Sequence, residues 1–138
     1  MQHDKFIGQV QARARLESRG AAEAATRATL ETLAERIPDG LADNLAAQLP
    51  HEIGEHLRRV EAAPDVPTTG MRMSRREFFD RVARREGKDL AKAVHDARSV
   101  LEVVGEAVQG NLTAKVKKSM DADLASVLFS GSTGSAHS

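Results

Sequence analysis

Two histidines flank two carboxylates in His51-Glu52-Ile53-Gly54-Glu55-His56. Imidazole and carboxylate together form the donor set of a zinc site. On a helix, two histidines grip one ion when they stand four apart and share a face. Here they stand five apart, which turns them about 140° around the axis. Glu52 and His56 do share a face, but one such pair makes a weak metal site. The segment reads as a solvated helix face, and no metal site and no cofactor are expected.

Arg81, Arg84, Arg85 and Lys88 recur at i, i+3, i+4 and i+7, and Arg75 and Arg76 extend this basic stripe at its start. Guanidinium groups in such a row can neutralise successive phosphates and give sequence-independent, salt-dependent binding. Glu77, Asp80, Glu86 and Asp89 interrupt the stripe and offer ordinary pairing along a helix. It therefore reads first as a solvated face, next as a protein-binding surface and last as a nucleic-acid interface. Ser74-Arg75-Arg76-Glu77-Phe78-Phe79 has the look of a twin-arginine export signal. It lies mid-chain with no apolar run behind it, and Ser74 with Glu77 is better explained as a capping box, two reciprocal bonds to helix N–H groups. Glu31 and Glu102 occupy matched positions in two similar segments; a carboxylate pair meeting between those segments would suit a divalent cation. Asp121 and Asp123 fall at an expected helix start, where acidic groups complement the helix dipole. There is no Gly-rich phosphate loop and no nucleophile elbow, so no catalytic residues and no enzyme activity are expected.

These side chains need a scaffold, and the chain writes its scaffold twice. Thr29-Leu30-Glu31-Thr32-Leu33-Ala34-Glu35-Arg36-Ile37 matches Val100-Leu101-Glu102-Val103-Val104-Gly105-Glu106-Ala107-Val108 at a shift of 71 residues. Leu41, Leu45, Leu49, Ile53 and Leu57 meet Leu112, Val116, Met120, Leu124 and Leu128 at the same shift. Upstream the shift is 72, and Phe6, Ile7 and Val10 meet Phe78, Phe79 and Val82. What repeats is the apolar pattern, which is the mark of a duplicated packing unit.

The apolar residues recur at helical spacing. Helices are predicted over 4–16, with Asp4 as cap, over 21–37, over 41–48 and from Pro50 onward, burying Ile53, Leu57 and Val60. In the second half they are predicted over 75–86, 89–108, 112–118 and 121–129. Alanines on the inner face of the second helix imply close helix packing. Ser18-Arg19-Gly20, Pro38-Asp39-Gly40, Gly87 and Gln109-Gly110-Asn111 supply stops. The expected organisation is all-α: helical repeat 1 over 1–61, a Pro/Thr/Gly linker over 62–73, helical repeat 2 over 74–130, and a disordered Gly/Ser tail over 131–138. The two repeats of about four helices each would pack into one compact bundle.

Composition supports this and closes off other classes. A soluble chain of 138 residues buries about 68% of its unfolded surface, enough for a stable core. There is no Cys, Trp or Tyr and only four Phe. Disulfides, thiolate metal sites and cysteine nucleophiles are excluded, and aromatic base-stacking platforms have little to draw on. The formal net charge is zero, yet residues 1–70 carry 8 basic against 11 acidic side chains and residues 71–138 carry 12 against 9. Opposed halves of that kind would favour self-association or an acidic partner. No apolar run is long enough to span a membrane, and the first residues lack the order of a signal peptide, so a cytoplasmic location is expected.

Phe6-x-x-x-Val10, the run Ala25-Thr26-Arg27-Ala28-Thr29-Leu30-Glu31-Thr32-Leu33-Ala34-Glu35-Arg36-Ile37, then Ala46-Ala47-Gln48-Leu49-Pro50 and Phe78-x-x-x-Val82 resemble the bacterial domain-of-unknown-function family numbered 2267. The resemblance spans about residues 4–129. In the second half, Ser119-Met120-Asp121 replaces the Gln-Leu-Pro turn. It implies an all-helical, duplicated, soluble bacterial protein and carries no catalytic residues. The functional expectation is a non-enzymatic module that binds a protein or a copy of itself. The alternatives are weak nucleic-acid binding through the stripe at Arg75, Arg76, Arg81, Arg84, Arg85 and Lys88, or a small ligand or metal at Glu31 and Glu102.

Overall fold

The computed structural model describes residues 1–62 and 72–131. Among these the chain forms eight helices and no strand: α1 (His3–Ala14), α2 (Arg19–Arg36), α3 (Asp39–Gln48), α4 (His51–Ala62), α5 (Arg75–Glu86), α6 (Leu90–Ala107), α7 (Leu112–Lys118) and α8 (Ala122–Leu128). The larger part of the expected linker and all but the first residue of the expected disordered tail lie outside the described residues.

Local chemistry sets most of the borders. Ser74 Oγ accepts from Glu77 N–H at 3.1 Å, and Glu77 Oε1 accepts from Ser74 N–H at 3.4 Å, so the capping box opens α5. Gly87, at φ 74°, closes the same helix in the left-handed region that glycine enters without strain. Two expectations need correction at the N-terminus. Asp4 is not the cap of α1: the helix starts at His3, and Asp4 lies inside its first turn, ion-paired with Arg19. Ser18-Arg19-Gly20 is not a break of three residues, because Ser18 Oγ accepts from Ala21 N–H at 3.0 Å and starts α2 at Arg19. The true break is Arg15, left-handed at φ 55°.

One core runs through the bundle. Phe6 and Phe78 are both fully buried, as are Val10 and Val82, Ile53 and Leu124, and Leu57 and Leu128. Burying each large side chain contributes about 1.5–3 kcal/mol. Helix α2 is the centre of the packing and touches α1, α4, α5 and α6. Ala22, Ala25, Ala28 and Ala34 are wholly buried along it, and their small size lets four neighbours approach. The halves are crossed: α1 packs on α6, and α5 packs on α2.

The tightest approach lies between α3 and α4. A Cβ added at Gly54 would meet Ala46 O at 2.8 Å and Ala46 Cα at 3.3 Å. Backbone, unlike a side chain, cannot swing away. Gly54→Ala is therefore expected to destabilise by about 1–3 kcal/mol through overpacking, although alanine is favoured over glycine in a helix interior by about 1 kcal/mol. Urea unfolding of the variant measures the sign, and a gain in stability would show that the two helices part freely.

Candidate functional site

The basic stripe does not form one surface. Arg85 turns inward from α5 and forks onto Glu35 of α2, with Nη1 to Oε1 and Nη2 to Oε2 both at 2.9 Å. Its Nη1 also donates to Thr32 Oγ1 at 2.7 Å, and its Nε lies 3.6 Å from Glu31 Oε1. Arg81 adds a bond to Glu35 at 3.3 Å. Burial alone would push the Glu35 carboxyl up; the bond and charge of Arg85, then of Arg81, outweigh it and hold the group below its ordinary range. Arg76 pairs with Asp80 on its own helix, Arg84 Nε donates to Asp80 O, and Lys88 reaches Glu17 at 4.0 Å. Arg75 is left exposed.

Nor do Glu31 and Glu102 form a carboxylate pair. Glu31 is held by Arg85 and by Arg59, the latter at 3.5 Å. Glu102 accepts from Arg13 Nη1 at 3.0 Å. Arg13 also forks onto Glu106 at 2.7 and 2.8 Å. Two staples therefore cross between the halves: Arg13 of α1 onto Glu102 and Glu106 of α6, and Arg85 of α5 onto Glu31 and Glu35 of α2. The sequence reading passed over Glu35 and Glu106, which match at the same shift of 71 as Glu31 and Glu102, while Arg13 and Arg85 match at 72. That coincidence of charge was the available signal. The staples differ in depth, since the Glu35 side chain is 5% exposed and that of Glu106 is 50% exposed.

A second buried polar site joins α5 to α6. The carboxylate oxygens of Glu86 and Asp96 are buried without a donor from any other group except Lys92, whose Nζ lies 3.3 Å from Asp96 Oδ1. Burial first, then the hydrogen bond and charge of Asp96, push Glu86 up to about 9, so Glu86 carries the proton and donates it to Asp96.

An open groove of about 670 Å³ lies between α1, α2 and α4. Ala24 is the accessible apolar residue of its floor, above Ile7 and Ile53, which are buried at 1% exposure, with His3, Glu23, Arg27, His51, Glu52, Glu55, His56 and Arg59 around them. The histidines read from sequence as a solvated face line it, although His51 itself is 79% exposed. His3 Nε2 lies 3.2 Å from Glu23 Oε1 and His51 Nε2 lies 3.7 Å from Glu55 Oε1. Arg59 Nη2 lies 2.5 Å from His56 Nδ1. Burial, then the charges of Arg59, Arg27 and His3, push His56 down to about 4, against the single opposing pull of Glu55. Among the described residues no three His, Asp or Glu side chains are placed to hold a metal ion.

The family model described as an uncharacterized conserved protein (DUF2267) matches residues 3–127. The chain belongs to this family. The match runs from the first residue of α1 nearly to the end of α8, so both crossed staples and the groove lie within the span that defines the family. A search of curated proteins finds no match for this family member. No helix among the described residues is long and apolar enough to cross a membrane.

Proposed function

We propose that this protein is a non-enzymatic, cytoplasmic bacterial interaction module that receives a segment of a partner protein in the groove between α1, α2 and α4, and that its two halves descend from one duplicated unit. The observation that carries the reading is the make-up of the groove. Three helices meet around a small apolar floor, Ala24 above the buried Ile7 and Ile53, under a rim of charged and imidazole groups. An apolar centre inside a polar rim is the anatomy of a protein-binding surface. The basic stripe supports nucleic-acid binding poorly, because Arg81 and Arg85 spend their charge on Glu35 inside the bundle.

Ala24 lines the groove and is partly exposed, so Ala24→Trp fills the groove from a helix that tolerates the change. Affinity purification from the source cell with wild type and Ala24→Trp in parallel tests the proposal. A partner recovered by the wild type and lost with the variant is expected. The same set recovered by both would overturn it. Light scattering on the purified chain tells whether that partner is a second copy.

A further inference from the structure

Two hydrogen-bond donors in the groove have no acceptor among the described residues. Arg59 donates to Nδ1 of His56, so the neutral ring carries its hydrogen on Nε2, on the other side of the imidazole. Arg27 of α2 is exposed and makes neither a hydrogen bond nor an ion pair with any described residue, although its charge is felt at His56. Of the other charged rim groups, Glu23 of α2 is tied to His3 of α1, Glu55 of α4 to Arg58 and Arg59 to Glu31, while Glu52 of α4 is exposed and is not among the main charges acting on His56. The field left at His56 is positive, because Arg59, Arg27 and His3 together outweigh Glu55.

We infer that Arg27 and His56 form an oxyanion-binding pair, and that the groove anchors its ligand through a carboxylate or phosphate oxygen held between them. This rests on the groove being the recognition surface. A guanidinium and an imidazole N–H offer donors to one anionic group, and bonds to a charged acceptor are about twice as strong as neutral ones. An anion seated there offsets the positive charge around His56 and makes the imidazole easier to protonate; the proton goes to Nδ1, where Arg59 gives up its bond, and Nε2–H stays on the ligand. By linkage, affinity rises as pH falls toward the titration of the bound imidazole.

The test is an NMR titration of the His56 imidazole in the full chain. It is run alone, with inorganic phosphate, with a short acidic amphipathic peptide, and with the same peptide carrying glutamine for each glutamate. The His56 midpoint is expected to climb from about 4 with the acidic peptide and to stay put with its glutamine counterpart. Arg27→Met, which breaks no bond seen in the fold, is expected to weaken the acidic peptide about tenfold with an unchanged melting curve. If the glutamine peptide shifts the groove resonances as strongly as the acidic one, the oxyanion pair is overturned and the groove stands as a docking surface. If phosphate moves His56 while neither peptide touches Ile7 or Ile53, the pair stands and the protein-docking reading falls. No movement of His56 with any probe overturns the pair.

Discussion

Arg85→Met is expected to cost about 3 kcal/mol of unfolding free energy, while Arg13→Met is expected to cost less than about 1 kcal/mol. The two arginines stand at matched positions and make the same forked bond to a carboxylate on the opposite half. Depth separates them. Glu35 is nearly sealed from solvent, and losing Arg85 leaves a buried carboxylate with only Arg81 at 3.3 Å. Glu106 is half exposed and returns to water once Arg13 is gone. The double variant Arg85→Met/Glu35→Met removes both charges and is expected to recover most of the loss, because a buried pair can be replaced by apolar packing at little cost. Guanidinium unfolding of the three variants decides the matter; equal costs for Arg85 and Arg13 would refute the argument from burial. The sign with pH follows from the same geometry. The Glu35 carboxyl sits below its ordinary range, so its contribution is complete above the unfolded carboxylate pKa and is lost as pH falls through the lower folded value.

Alkaline conditions are expected to weaken the wild-type fold, and Glu86→Gln to remove that weakness. Folded Glu86 titrates near 9 against 4.5 for an ordinary glutamate. Between those values the folded chain holds a proton that the unfolded chain has shed, so stability falls as pH rises through the window and levels off above it. A glutamine amide donates to Asp96 as the protonated acid does, with no proton to lose. Between about pH 6 and about pH 9 the wild type should lose about 2–4 kcal/mol more than Glu86→Gln, below the limit of about 1.4 kcal/mol per pH unit that one proton allows. Thermal melts across that range measure it, and parallel pH profiles for the two proteins would show that Glu86 is not protonated in the fold.

The helical plan was legible because it rests on local signals. The Ser74–Glu77 box and Gly87 place α5 at the borders predicted for it, and α7 likewise falls where the apolar spacing puts it. The end of α1 was not legible, since arginine at a left-handed position carries no sequence signature. Arg81 and Arg85 looked like members of a surface stripe because spacing reveals which residues share a face, not what the face meets. Glu86 looked like an ordinary surface acid for the same reason, and nothing in the spacing singles out Asp96. The groove was beyond reach: His3, Arg27 and His56 come from three helices and are brought together only by packing. Matching each half against the other weighs against His51 and His56, whose counterparts at a shift of 71 are Ala122 and Val127. That comparison finds what both halves use for packing, and it is blind to a site that one half holds alone.

The crossing of α1 onto α6 and of α5 onto α2 has a kinetic consequence. The staples join residues 50 to 93 positions apart in the chain, so long loops must close before either of them forms. Loop closure of this kind slows folding relative to helical bundles built from neighbouring contacts. Since the first helix of each half finds part of its seat on the other half, an early-folding half gains little alone, and the ascent to the native state should proceed as one cooperative step.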